Sequence, residues 1–339
     1  MSPSDAQCPG GTTCTGTPDA GGATLARLGG ETMGTSWSVL ARVAPGTDLH
    51  RLHDGIQARL DRVVAQMSTW EPDSDIGRFN RAGAGTWHEL PPEFSTVLRC
   101  ALDIARLSDG AFDPTLGRLV ELWGFGPAAR PRMPSPSQRD ALAAAAGTGW
   151  QRLALQDDPP RALQPGRLAL DLSAIAKGFA VDDVAHHLRE RGVGAALVEV
   201  GGELYGYGRK PDGQPWQVLV ETAPEETESA LPPCVLALDG LAVATSGDRW
   251  HRFDQDGRRF AHTLDARTAA PVADAPAAVT VIAQCAMHAD AWATALTVMG
   301  PMAGLAFAQA QGLAVRFVSA APGGPLVAVS DAFQARLAA

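Results

Sequence analysis

Two alternating runs on either side of a double glycine, "GAALVEVGGELYGYG" at residues 194–208, restrict this chain more than any other stretch. Apolar residues at every second position make strands, and glycines between them let the backbone turn with positive φ. The stretch therefore reads as strand, break, strand. Just before it come "RLALDL" (167–172), a strand, and a helix within "DLSAIAKGFAVDDVAHHLRERG" (171–192). One region thus combines a strand–helix–strand unit with a hairpin-like strand pair.

The rest of the chain shows the same mixture. "TSWSVLARV", "WQVLVE", "VLALDGLAVATSGD", "APAAVTVIAQ" and "LAVRFVS" read as strands. Leu49, Leu52, Ile56, Leu60, Val63, Val64 and Met67 recur at helical spacing. "EFSTVLRCALDIARLSDG" is a second helix with Gly110 as its stop, and "RDALAAAAG" is a short one. Further helices run from about Ala286 to Met299, through "PMAGLAFAQAQG", and through the tail "DAFQARLAA". "PAARPRMPSPSQ" is too rich in proline to be helix interior. The expected class is α+β, with mixed β-sheets and helices packed outside them. With no repeat and no long linker after Ala23, residues 25–339 are expected to form one domain and residues 1–24 a disordered tail.

A formal net charge of -9 argues against nucleic-acid binding, which needs a basic patch. No uninterrupted apolar run reaches the roughly 18 residues that span a bilayer. The N-terminal stretch has no basic start or apolar run, so neither a signal peptide nor a lipid-anchor signal is visible there. Cys8 and Cys14 can pair or bind metal, but lack neighbouring His or Cys partners. Cys100, Cys234 and Cys285 sit in apolar surroundings and read as core thiols.

Several segments can carry chemistry. In "DLSAIAKGFAVDD", Asp171 or Ser173 can cap a helix whose apolar face is Ile175, Phe179, Ala180, Val184 and Leu188. Free amides at a helix start attract phosphates, Lys177 adds a mobile charge, and Gly178 lets a ligand or another backbone approach. The same features describe an ordinary capped helix with a surface lysine. Asp290 and Thr294 are four residues apart and share a helix face. They are hard oxygen donors of the kind Mg²⁺ takes, or simply a surface Asp and a helix Thr. "TSGD" reads as a turn, with Thr245, Ser246 and Asp248 free to hydrogen-bond, and His251 and His262 follow as candidate bases or as ordinary polar residues. "ETMGTSW" (31–37), "MSTWEPDSDIGRFN" (67–80) and "DGAFDPTLG" (109–117) are turn-rich and can line a pocket or be plain loops.

Taken in order, "ETMGTSW", "MSTWEPDSDIGRFN", "GAFDPTLG", "DLSAIAKGFAVD", "VEVGGELYGYG", "TSGD", "HTLDARTAAPV" and "VTVIAQCAMHADAWATALTVMG" resemble the ApbE family of FAD:protein FMN transferases. The resemblance spans about residues 25–335. It implies an ApbE-like, T-fold-like architecture and a Mg²⁺-dependent reaction, in which FAD is cleaved at its pyrophosphate, FMN joins a Thr or Ser hydroxyl of a target protein, and AMP leaves. It further implies that Met33, Trp70, Ala111, Phe112, Asp113 and Leu264 contact the flavin side of FAD, and that Asp171 is an adenosine- or ribose-side carboxylate. Lys177 falls on a polar FAD-contacting position. Ala174, through its carbonyl, Asp290 and Thr294 match the metal ligands. His262 matches a histidine implicated in catalysis, and His262 or a magnesium-linked carboxylate such as Asp290 is the expected base.

By the same resemblance, the acceptor is a membrane redox subunit with a D-G-x-[ST]-G-A-[ST]-type motif and the reaction lies outside the cytoplasm, while the lack of a visible export signal keeps a cytoplasmic protein as the alternative. Where the family has I-D-P-x-T-G, this chain reads Leu264-Asp265-Ala266-Arg267-Thr268-Ala269, which lacks the Pro and the Gly. An FAD pyrophosphatase and a non-catalytic flavin carrier are the competing functions.

Overall fold

The computed structural model describes residues 13–15, 22–127, 136–220, 234–247, 252–255, 258–273, 275–321 and 324–337. Among them, a nine-stranded sheet runs in the order β1 (Thr13–Thr15), β2 (Thr24–Thr32), β3 (Thr35–Val43), β7 (Ala196–Val200), β8 (Glu203–Tyr207), β11 (Leu241–Ser246), β16 (Ala278–Ala283), β17 (Ala314–Ser319) and β18 (Leu326–Val329). Every neighbouring pair is antiparallel. The α+β expectation is met.

Between β3 and β7 the chain forms α1 (Leu49–Met67), α2 (Asp75–Arg81), β4 (Thr86–Glu89), α3 (Pro92–Leu107), α4 (Gly117–Leu122), α5 (Gln138–Ala145), β5 (Ala154–Gln156), β6 (Arg161–Gln164) and α6 (Ala176–Glu190). Strands β9 (Trp216–Val220) and β10 (Cys234–Leu238) pair between β8 and β11. Before β16 come two small pairs, β12 (Arg252–Gln255) with β13 (Arg258–Ala261) and β14 (Leu264–Asp265) with β15 (Ala270–Pro271). Helix α7 (Ala286–Gln311) connects β16 to β17, and α8 (Asp331–Leu337) closes the chain.

The strand period of two sorts side chains onto opposite faces. Val39, Ala41, Val198, Val200, Ala242, Ala244, Val279, Val281, Val315 and Phe317 join the main core with α1, α3, α6 and α7. Their sequence neighbours Val243, Ile282 and Ala314 face the other way, onto Trp216, Val218, Leu236, Leu238 and Phe333. Helix α7 has the length and mean hydropathy of a membrane span, but half of it is buried inside the protein and it breaks at Gly300 (φ 74°), ahead of Pro301. It is a core helix in two parts, which correspond to the two successive helical segments expected from the sequence.

Both hairpin turns beside the site have two residues with positive φ, the geometry that matches strand twist. One is Gly201-Gly202 (58° and 101°), the double glycine of the sequence. The other is Met33-Gly34 (50° and 71°), which places a non-glycine residue in the left-handed region.

"RLALDL" is not a regular strand. Its pairing reduces to an isolated parallel bridge between Leu116 and Ala169, and the regular strand is the preceding Arg161–Gln164. Arg167 sits at φ 60°, which breaks extended geometry. Side chains then take over the ladder: Leu170 N–H donates to Asn80 Oδ1 (2.7 Å), Asn80 Nδ2 donates to Leu170 O (2.9 Å), and Gln164 Nε2 donates to Leu168 O (3.1 Å). The three-stranded sheet β4-β6-β5 was not anticipated. The proline-rich loop, apart from its first residue and its last three, lies outside the described residues, as do Cys8, Asp248 and His251. Of the expected N-terminal tail, Thr13–Thr15 pair with Leu25–Arg27.

Candidate functional site

Helices α6 and α7 exchange carboxylates at their starts. Asp182, in the second turn of α6, accepts the N–H groups of Ala286 (2.8 Å) and Met287 (2.9 Å), the first residues of α7. Asp290, in the second turn of α7, accepts the N–H of Gly178 (3.0 Å), in the first turn of α6. Each carboxylate satisfies donors that the other helix leaves open and faces the positive end of its dipole. Burial pushes the Asp182 carboxyl up to about 6 despite those bonds, and burial also raises that of Asp290, with Lys177 opposing it.

The expected cap from Asp171 or Ser173 does not form. The helix starts later, at Ala176, with no side-chain cap from the residue before it. Asp171 Oδ1 instead accepts from Ser173 N (2.9 Å) and Oγ (2.5 Å) in the turn ahead of the helix. An Asp182→Ala protein should lose about 1–2 kcal/mol through its two bonds to α7. Urea unfolding should show a lower midpoint at unchanged slope.

Gly178 marks where the two helices touch. A Cβ there would lie 2.3 Å from Ala286 O and 2.8 Å from Met287 Cα. Of the two approaches open to this glycine, the structure shows a second backbone. The contact has a chemical by-product. Gly178 N–H, whose helical acceptor would be the Ala174 carbonyl, donates to Asp290, so that carbonyl lacks its usual i+4 donor.

Lys177 and Asp290 come together around a residue that sequence reasoning missed, Glu203. The Lys177 ammonium pairs with Glu203 Oε1, while Glu203 Oε2 is buried and has no hydrogen-bond partner. Burial, reinforced by Asp290, pushes the Glu203 carboxyl up to about 8, against the pull of Lys177. Burial alone would lower the Lys177 proton affinity, but Asp290 and then Glu203 outweigh it and the ammonium is held above the lysine range. Strand alternation could have found Glu203, because it shares the inward parity of Tyr205 and Tyr207 in β8.

The other expected residues lie at graded removes. A Cβ on Gly201 would meet Thr35 Cγ2 at 2.8 Å and Lys177 Cδ at 3.2 Å, so the Met33–Thr35 turn adjoins Lys177. That turn lines a recess of about 480 Å³ with Glu31, Thr32 and Ser36. Asp171 N–H donates to Pro114 O (2.9 Å), which ties the approach to α6 to the "AFD" turn. Ala111 and Phe112 are buried in that turn. The Asp113 carboxylate is spent inside it, accepting from Thr115 N (2.8 Å), Thr115 Oγ1 (2.6 Å) and Trp150 N (3.3 Å), and burial raises its carboxyl.

Thr294 is half-buried, one turn along α7 from Asp290. Trp70 is 63% exposed. Leu264 packs with Leu119, Ala141 and Ala269, and the His262 ring meets Phe125 edge-on, centroids 6.5 Å apart. Ala269, standing where the family has glycine, adopts φ 55°, and its carbonyl accepts from Trp123 Nε1 (3.0 Å). The backbone there is left-handed without a glycine.

Residues 33–317 match the sequence pattern of the ApbE family. The chain is 35% identical over 314 residues to the FAD:protein FMN transferase of Haemophilus influenzae, covering 91% of this chain and 90% of that one. It is 37% identical over 292 residues to the enzyme of the same name from Vibrio cholerae, covering 86% of each. Among solved structures, it resembles the apo form of the Pseudomonas stutzeri flavinyl transferase ApbE, with TM-score 0.86 and 38% identity over 94% of this chain and 98% of that one.

Proposed function

The chain belongs to the ApbE family, and from that membership we propose that it moves the FMN moiety of FAD onto a threonine or serine hydroxyl of another protein, releasing AMP. It is an enzyme, a flavin transferase. The observation that carries the finer reading is the meeting of Asp290, Lys177 and the Ala174 carbonyl at the starts of two helices.

Those groups fit Mg²⁺. With Asp290 Oδ2 held by Gly178, Asp290 Oδ1, the Ala174 carbonyl and the Thr294 hydroxyl would hold the ion. All are hard oxygens, the class that Mg²⁺ selects. Among the described residues no three His, Cys, Asp or Glu side chains cluster, which suits an ion that completes its shell with water and phosphate. When bound, Mg²⁺ supplies Lewis acidity and neutralises pyrophosphate charge.

The chain's own groups do the rest. The Lys177 ammonium attracts the pyrophosphate, and the positive end of α6 adds to its pull. The Met33 turn, with the recess it lines, offers surface to the isoalloxazine ring. The acceptor hydroxyl oxygen bonds to the FMN phosphorus, the pyrophosphate P–O bond breaks, and AMP leaves with the bridging oxygen. His262 takes the hydroxyl proton. The acceptor is a membrane redox subunit carrying a D-G-x-[ST]-G-A-[ST]-type segment.

Incubation with FAD, Mg²⁺ and such an acceptor should give AMP and a fluorescent acceptor band that survives denaturing electrophoresis. Free FMN with AMP and no labelled band would mean hydrolysis, and intact FAD would mean a carrier. His262→Ala should lower the transfer rate by about 10²–10⁴-fold with FAD affinity unchanged. Full activity would remove His262 from the mechanism.

A further inference from the structure

The Lys177–Glu203 pair is asymmetric. Glu203 is only 4% exposed, on an inward-facing position of β8 directly after the Gly201-Gly202 turn. One of its oxygens holds the Lys177 ammonium; the other has no partner. Lys177 also stands in the field of Asp290, whose Oδ2 is fixed by Gly178. Two buried carboxylates thus flank one ammonium: Glu203 pairs with it directly, and Asp290 acts on it from beyond ion-pair contact.

Isolated buried charge is expensive, and a pair is tolerated when its members compensate each other. The ammonium therefore has two tasks that pull in different directions. Toward FAD it attracts phosphate. Toward Asp290 it is a resident cation that any divalent ion must displace electrostatically. Glu203 sets the balance, because it determines how far the ammonium is drawn from both.

We propose that Glu203 is a positioning residue that holds the Lys177 ammonium off Asp290, and so tunes the site between metal and pyrophosphate. The proposal rests on Asp290 being a metal ligand. It makes Glu203 act in opposite senses on two ligands. Glu203 draws Lys177 away from Asp290 and adds negative charge, which favours Mg²⁺. The same pull neutralises Lys177, which disfavours the phosphates of FAD.

The test compares Glu203→Gln, Lys177→Met and the double variant as full-length, FAD-free protein at a pH above the raised Glu203 carboxyl, where it is ionised. Mg²⁺ binding is read from the midpoint of its stabilisation in thermal unfolding. FAD binding is read from flavin fluorescence in EDTA. Removing a unit charge a few ångströms from the site should move each midpoint about tenfold. Glu203→Gln is expected to weaken Mg²⁺ and tighten FAD. Lys177→Met is expected to tighten Mg²⁺ and weaken FAD. The double variant should bind Mg²⁺ within about threefold of the wild type, since the two effects oppose each other.

Loss of general packing would shift both ligands the same way in each variant, and that result, or an unmoved Glu203→Gln protein, overturns the proposal. If Glu203→Gln alone does not fold, Lys177→Met and the double variant decide it: their Mg²⁺ midpoints must differ, with the single variant tighter. Asp290→Asn should abolish the Mg²⁺ response. If it does not, the metal assignment falls, and the opposed FAD shifts of Glu203→Gln and Lys177→Met then decide the role of Glu203.

Discussion

A Gly178→Ala protein is expected to be about 3 kcal/mol or more less stable than the wild type, with a Tm lower by roughly 5–10 °C. The added methyl would sit 2.3 Å from Ala286 O and 2.6 Å from Ala286 C, and both belong to backbone that no rotamer change can move. Helices α6 and α7 must separate to admit it. Separation stretches the Gly178–Asp290 bond and the two bonds from Ala286 and Met287 to Asp182, so the damage reaches beyond the methyl. Gly194→Ala is the control. It lies near the other end of the same strand–helix unit, with nothing within 4 Å of a Cβ and no positive φ, and should change stability by less than about 1 kcal/mol. Thermal unfolding of the two variants checks the contrast. Equal melting temperatures would mean the helices do not touch at Gly178.

The second large effect is chemical. Asp290→Asn should reduce FMN transfer by about 10³-fold or more, equivalent to roughly 4 kcal/mol of transition-state stabilisation. Asparagine keeps an oxygen for the Gly178 N–H and nearly the same volume, so the helix crossing survives. It also removes a buried carboxylate that burial has already pushed above its ordinary range. The folded protein should therefore melt within a few degrees of the wild type while losing activity. AMP release and acceptor fluorescence, measured beside the melting curve, separate the two. A variant that retains a tenth of the wild-type rate would show that Asp290 does not serve the reaction.

Local patterns carried much of this molecule into the sequence reading. The double glycine at 201–202 announced its hairpin because both positions need positive φ, and the helical spacing through α1 announced its buried face. Errors arose where tertiary partners replaced local rules. "RLALDL" alternates like a strand, yet its backbone is served by the amides of Asn80 and Gln164, one of them 90 residues away. Asp171 has the right spacing to cap α6, but the first-turn donor is met by Asp290 across 112 residues.

The site followed the same division. Asp290, Lys177 and Ala174 were legible through their order among the family-like segments, and the structure groups them at the helix starts. Glu203 was passed over because one acidic residue after two glycines looks like turn chemistry, and only its parity with Tyr205 and Tyr207 betrays an inward side chain. Asp113 shows the converse. Its segment was prominent, but its carboxylate is occupied by Thr115 and Trp150.

The exchange of carboxylates between α6 and α7 also has a kinetic side. The bonds at Gly178 and at Ala286 close loops of 112 and 104 residues, so the contacts that assemble the site are strongly non-local. Loops of that length close late, after local helices and hairpins have formed. A nascent chain emerging from the ribosome cannot gather Lys177 and Asp290 until 290 of its 339 residues have been synthesised. Competence to hold FAD therefore arrives close to the end of folding, and nucleotide binding can serve as a readout of its final step.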